Sequence, residues 1–254
     1  MEMLKDTARH YLPDIYRSLA DAWNSLKRPS VPAITSLPNG KWNTRMRQTM
    51  DWFDNVQNFL QVNRIDGVYA EFGCHEIKTF RFALNTLGQY RRPNKISHFY
   101  AFDSFEGMPE PEGIDKQKIW RKGMNHTTLE RFKAVCKKDL HRITATKGFF
   151  CDSLPGFNWN AGHKIACAYI DVDYYSSTRE VLNFITGKLQ HGAIIGFDDW
   201  NCYYGDPSRG MRKAFTEWSL SLSGIARLEP YLPISWGGQS FIYQELNKLG
   251  KEIL

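Results

Sequence analysis

The chain has 254 residues, 42% apolar and 24% charged, the balance of an ordinary globular protein rather than a disordered or fibrous one. Such a length fits one α/β domain with an added helical segment better than two domains. The net charge of +6 is spread along the chain, with short clusters at Lys137-Lys138 and at Arg91-Arg92 with Lys95. No nucleic-acid partner is expected, although an anionic substrate would suit the charge.

Residues 1–62 read as helices that precede a sheet. Tyr11, Ile15, Leu19, Ala20 and Trp23 make one apolar stripe at helical spacing. A proline-rich break at Pro29–Pro38 separates it from a second helix, about Trp42–Val62, with Met46, Met50, Phe53, Val56, Phe59 and Leu60 on one face. These helices are expected to form an N-terminal cap, acting as a lid or as a contact between copies of the chain.

Residues 63–254 read as the α/β domain. Val68–Phe72 is its first strand, followed by a helix to about Tyr90. His98–Phe102 is the second strand and ends at Asp103. A loop of about 20 residues follows through Glu106-Gly107-Met108-Pro109-Glu110-Pro111, and uncovered loops that long are often functional. Thr127-x-x-Glu130 reads as a capping box. Ile143–Thr146 is the third strand, with Gly148 opening the turn after it. Ile165–Ile170 is the fourth. Ser177-x-x-Glu180 reads as a second capping box, opening a helix that buries Val181, Leu182, Ile185 and Leu189. Ala193–Phe197 is the fifth strand. A helix over about Ser208–Leu220 precedes two late strands, near Ala226–Leu228 and Ser240–Gln244.

The five cysteines (Cys74, Cys136, Cys151, Cys167 and Cys202) are odd in number and lack C-x-x-C spacing, as in a reducing compartment. The charged start, Met1–Lys5, has no signal-like apolar stretch, and no run reaches the length of a membrane span. A cytoplasmic protein with no membrane partner is expected.

The fourth strand ends in Asp171-Val172-Asp173 and the fifth in Asp198-Asp199-Trp200, with 27 positions from Asp171 to Asp198. Apolar runs of this kind suit strands buried on both faces. One helix-length segment between them makes a parallel βαβ unit. Both acidic clusters then fall on the carboxyl edge of one sheet, where open α/β folds bind ligands. A lone strand-end aspartate commonly caps the next helix. Several carboxylates forced together repel unless they are solvated, protonated or holding a cation, and oxygen donors suit Mg²⁺, Ca²⁺ or Mn²⁺.

After the first strand comes Glu71-Phe72-Gly73-Cys74-His75. A glycine there lets the backbone approach a ligand closely, but this is not the G-x-G-x-x-G of a dinucleotide site. Asp103 stands 32 positions after Glu71. A carboxylate at that place can accept from both hydroxyls of a ribose.

Together these pieces resemble one family. Asp103-Ser104-Phe105-Glu106-Gly107-Met108-Pro109 is similar to its D-S-F-x-G-L-P. Gly148-Phe149-Phe150-Cys151-Asp152-Ser153-Leu154-Pro155 is similar to G-x-F-x-D-T-L-P. Asp171-Val172-Asp173-Tyr174-Tyr175-Ser176-Ser177-Thr178 is similar to D-x-D-x-Y-x-S-T, Asp198-Asp199-Trp200 to D-D-Y, and Gly210-x-x-x-Ala214-Phe215 to G-x-x-x-A-h. Over about residues 66–244 the chain resembles the macrocin O-methyltransferase family.

The resemblance implies a Rossmann-like class I methyltransferase fold: a mostly parallel seven-stranded sheet with helices on both faces. It implies S-adenosylmethionine as methyl donor, a divalent cation (Mg²⁺ or Mn²⁺), and a small-molecule or saccharide acceptor. Glu71-x-Gly73 is similar to the E/D-x-G turn of such enzymes, with His75 and Ile77 where later glycines usually stand. By that resemblance Glu71, Gly73, Cys74, Asp103 and Ser104 contact the cofactor, and Asp152 and Ser153 flank its adenine. Asp171, Asp198 and Asp199 hold the metal, with Asp171 also catalytic.

A sugar hydroxyl also needs a base to take its proton. His126, in the long loop before a helix, is the candidate, and His75 comes second. Two other readings stay open. Asp171-Val172-Asp173 is also the D-x-D by which nucleotide-sugar glycosyltransferases bind Mn²⁺ and a diphosphate. The glycine-poor turn would suit a non-catalytic binding protein on the same fold.

Overall fold

The computed structural model describes residues 40–88 and 96–251. The chain divides into two compact units, Met1–Thr44 and Arg45–Leu254. Of the first unit, only the residues opening one helix are described. The stripe from Tyr11 to Trp23, the proline-rich break and most of the expected cap therefore lie outside the described residues, as does Tyr90.

The second unit carries seven strands: β1 (Gly67–Phe72), β2 (Ile96–Asp103), β3 (Ile143–Lys147), β4 (Ile165–Ile170), β5 (Leu189–Phe197), β6 (Ala226–Pro233) and β7 (Gln239–Glu245). The described helices are α1 (Gly40–Val62), α2 (Lys78–Thr86), α3 (Leu129–Val135), α4 (Phe150–Ser153), α5 (Tyr175–Ile185) and α6 (Gly210–Ser221). The sheet order is β3-β2-β1-β4-β5-β7-β6. Strands β1 to β5 pair in parallel, and β7 runs antiparallel to both β5 and β6. This is the expected class I methyltransferase architecture.

Strand alternation sends side chains to two cores. Tyr69, Phe99 and Tyr169 face one layer with Trp52, Phe53, Val56 and Leu60 of α1, Phe80 of α2 and Phe132 of α3. Phe72, Phe102, Ile170 and Phe197 face the other with Val181, Leu182 and Ile185 of α5 and Trp218 of α6. Large apolar side chains buried this way contribute about 1.5–3 kcal/mol each. The α1 stripe thus includes Trp52, whose indole N–H donates to Ser240 Oγ at 3.0 Å. From Arg45 onward α1 belongs to the second unit.

Three local readings change. Leu189 opens β5 and pairs with Ile165, because α5 already ends at Ile185. The first capping box slips by one residue: Thr128 is the N-cap of α3, its Oγ1 accepting from Arg131 N–H at 3.1 Å. The second does not form. Ser177 lies inside α5, and Asp115 from the long loop caps that helix instead, accepting from the N–H groups of Tyr175 (2.7 Å) and Ser176 (3.2 Å).

That loop, residues 104–126, is tied across its neck. Met108 N–H donates to Met124 O at 2.8 Å, and Gly123 N–H to Met108 O at 2.9 Å. Arg209 reaches Ile114 O at 3.3 Å and so ties its middle.

The chain order reverses between β1 and β4, which are neighbours although far apart in sequence. Crossover connections leave on opposite sides there, so a crevice opens between the carboxyl ends of the two strands.

Candidate active site

A cavity of about 370 Å³ occupies that crevice. Gly73 and His75 line it after β1, Asp103 and Ser104 after β2, Gly148 to Cys151 after β3, and Asp171 to Asp173 after β4. Met108, Glu110 and Asn125 of the long loop close one side. At Gly73 (φ 85°) a Cβ would stand 1.9 Å from Asp171 O, so only glycine lets β1 and β4 end this close together. Further along the same turn, Ile77 takes φ 63°, a left-handed conformation usually left to glycine. Ile77 is held there by the core, at 1% exposure.

Asp103 is pinned from both sides. Its Oδ2 accepts from Cys74 N–H and its Oδ1 from Phe105 N–H, each at 2.6 Å. Burial raises its pKa, and the two N–H groups pull it back. The carboxyl is thereby fixed at the cavity wall with lone pairs still free to accept. Ser104 Oγ donates to Gly107 O at 2.7 Å and turns the chain into the loop.

Several expected cofactor contacts stand elsewhere. Glu71 is fully buried on the far face of β1, where Thr79 Oγ1 donates to its Oε1 at 2.7 Å and Tyr69 OH donates to its Oε2. Burial pushes its pKa to about 8, against the pull of those two hydroxyls. Alternation places it there: Phe72 faces one layer, so Glu71 must face the other. The Cys74 thiol is likewise buried, and only its N–H serves the site. Asp152 is exposed, and Ser153 Oγ donates to Gly148 O at 3.3 Å; neither lines the cavity, whereas Phe149, Phe150 and Cys151 do.

His126 is exposed and outside the cavity lining. Its neighbour Asn125, in a left-handed turn at φ 56°, points in instead and donates to Asp173 Oδ2 at 3.3 Å. His75 does line the cavity, with its pKa lowered by burial.

The two acidic clusters meet as the strand order requires. Asp171, Asp198 and Asp199 each bring an oxygen within 4.8 Å of the others. Tyr169 OH donates to Asp198 Oδ1 at 2.7 Å, and Asp173 N–H to Asp199 Oδ2 at 3.2 Å. Asp173 holds φ 58°, a strained value for a residue with a side chain. Burial, then the neighbouring carboxylates, push Asp171 and Asp173 far above the usual carboxyl range and Asp199 to about 6. An all-carboxylate donor set whose members raise one another's proton affinity fits a hard divalent cation.

Arg45 of α1, which motif reading did not single out, forms an ion pair with Asp198. Burial lowers its proton affinity, but Asp198, Asp171 and Asp199 outweigh that and hold the guanidinium firmly charged. The available signal was an arginine seven positions before Trp52, in register with the buried stripe of α1.

The model of the macrocin O-methyltransferase (TylF) family matches residues 40–219. No curated protein matches the sequence significantly. Among solved structures, the chain is similar to the calicheamicin methyltransferase CalS11, with a TM-score of 0.63 and 22% identity over 90% of this chain and 93% of that one. It is similar to an apo form of CalS11, described as a TDP-rhamnose 3'-O-methyltransferase, with a TM-score of 0.55 and 21% identity over 88% and 92% of the two chains. It is also similar to the O-methyltransferase NovP, with a TM-score of 0.59 and 19% identity over 78% and 80%. At these identities the likeness speaks for the fold. The family match spans more than two thirds of the chain and includes Gly73, Asp103, Asp171, Asp198 and Asp199, and it displaces the glycosyltransferase reading of Asp171-Val172-Asp173. The chain therefore belongs to the macrocin O-methyltransferase family, and it is an O-methyltransferase.

Proposed function

We propose that the chain transfers a methyl group from S-adenosylmethionine to a hydroxyl of a sugar, with Asp171, Asp198 and Asp199 holding Mg²⁺ or Mn²⁺ beside the acceptor. The carrying observation is the convergence of those three acids next to the cavity that Gly73, Asp103 and Ser104 line. Family membership and the sugar substrate named for CalS11 support the acceptor class. The saccharide would be carried on a natural product or a surface polysaccharide, and the reaction would take place in the cytoplasm.

The donor supplies an electrophilic methyl on a cationic sulfur. The divalent cation supplies Lewis-acid polarisation of a hydroxyl. The chain supplies the rest. Asp103, held by two backbone N–H groups, accepts from the donor's ribose hydroxyls. Gly73 keeps the wall between β1 and β4 free of a side chain. Phe149 and Phe150 give the cavity an apolar wall.

Asp173 replaces His126 as the group to take the hydroxyl proton. It lines the cavity and is held there by Asn125.

Titration with S-adenosylhomocysteine and an assay with nucleotide-sugar and catechol acceptors test the reading. Binding of the cofactor product, activity lost in EDTA and regained with Mg²⁺, and dead Asp171→Asn and Asp198→Asn variants that still bind S-adenosylhomocysteine are expected. Full turnover in chelator would remove the metal from the mechanism, and failure to bind the cofactor product would remove the whole proposal.

A further inference from the structure

The acid cluster carries a cation of its own. Arg45 puts its guanidinium on Asp198 Oδ2, while Tyr169 OH occupies Oδ1 of the same carboxylate. Both oxygens of Asp198 are thus engaged within the protein. The two partners differ in freedom. Tyr169 is completely buried in the sheet, packed against Trp52 and Phe53 at ring distances of 5.7 Å each. The Arg45 side chain is 30% exposed, at the end of a long flexible stem. Its Cζ also lies 5.8 Å from the ring centroid of Trp236, which is itself 68% exposed.

A divalent cation that takes an oxygen of Asp198 must therefore meet a fixed hydroxyl or a mobile guanidinium. A guanidinium and a dication side by side repel, and the same three carboxylates cannot serve both at full strength. The turn bearing Trp236 is fastened to the acid loop, with Asn201 N–H on Gly237 O at 2.8 Å and Asn201 Nδ2 on Trp236 O at 2.9 Å. Trp236 thus stays beside the cluster whichever partner Asp198 has.

We infer that Arg45 is the built-in counter-ion of the Asp171, Asp198 and Asp199 cluster, and that a divalent cation binds there by displacing it from Asp198. This rests on the metal reading proposed above. In the metal-free protein Arg45 holds like-charged acids together, and it sets cation affinity by competing for them. On metal binding the guanidinium leaves Asp198 and its relation to Trp236 changes.

The test is Mn²⁺ binding by the full chain, without cofactor, read from the electron-spin resonance of free Mn²⁺. Arg45→Met is expected to bind Mn²⁺ about tenfold tighter or more, because no cation has to leave. Arg45→Lys keeps the charge and should stay within about threefold of the unsubstituted protein. A second reading uses Mg²⁺ and tryptophan emission. Mg²⁺ should change the emission of the unsubstituted protein, and that change should vanish in both Trp236→Phe and Arg45→Met. Equal or weaker Mn²⁺ binding by Arg45→Met, with the unsubstituted chain still binding, overturns the displacement and leaves the metal site standing. Absence of Mn²⁺ binding in the unsubstituted chain and every variant overturns the metal reading and this inference together.

Discussion

Glu71 gives the most direct physical test of the fold. It is a fully buried carboxyl in β1, bonded to Tyr69 and Thr79, with burial raising its pKa from 4.5 to about 8. The folded state keeps this proton to a higher pH than the unfolded chain does. Between about pH 4.5 and pH 8 the unfolded state binds fewer protons, so this group's contribution to stability falls as pH rises. Above pH 8 both states are ionised and the loss stops growing. At about 1.4 kcal/mol per pH unit, the span corresponds to on the order of 5 kcal/mol. Glu71→Gln has no such proton to lose. Urea unfolding of both proteins at pH 5 and pH 8.5 isolates the effect, since other titrating groups cancel in the difference. The variant should gain on the unsubstituted protein by several kcal/mol between the two pH values. A relative gain below about 1 kcal/mol would mean that Glu71 ionises at an ordinary pH, and the account of its burial would be wrong.

Gly73→Ala should destabilise the fold by about 3 kcal/mol or more, since its Cβ would stand 1.9 Å from Asp171 O at φ 85°; urea midpoints decide it, and a loss under about 1 kcal/mol would contradict the close approach of β1 and β4. Asp115→Ala removes the acceptor for two N–H groups at the start of α5. It should cost about 1 kcal/mol and speed proteolytic cleavage within residues 104–126, whereas unchanged cleavage would show the loop to be held by other contacts. His126→Ala should keep turnover within about threefold of the unsubstituted enzyme, because the side chain is exposed outside the cavity. A loss of about 10²-fold or more in single-turnover rate would restore it as the base.

How far the sequence foretells this molecule depends on the range of the interaction concerned. Apolar runs end where burial ends, so Ile165–Ile170 was readable to the residue as β4. The paired strand ends then put Asp171, Asp198 and Asp199 together without any knowledge of the rest of the chain. β5 begins earlier than its apolar run because Gln190 and His191 sit half-exposed where the strand enters the sheet, and polarity there concealed it. Motif position puts Glu71 at the cofactor, whereas alternation, the local rule, puts its side chain on the opposite face from Phe72 and outside the cavity lining. The His126 and Asn125 assignment turned on a single left-handed residue, which no spacing reveals. Arg45 meets Asp198 across 153 positions, and such a contact is written in the packing of α1 rather than in any motif.

The strap made by residues 104–126 bears on the timing of the reaction. Its neck bonds, the Asp115 cap on α5 and the Arg209 tie enclose one side of the cavity with groups drawn from several parts of the chain. On that side a ligand would be released only as several of these fastenings open together, so loosening the strap, as in Asp115→Ala, is expected to speed product release without touching the acids.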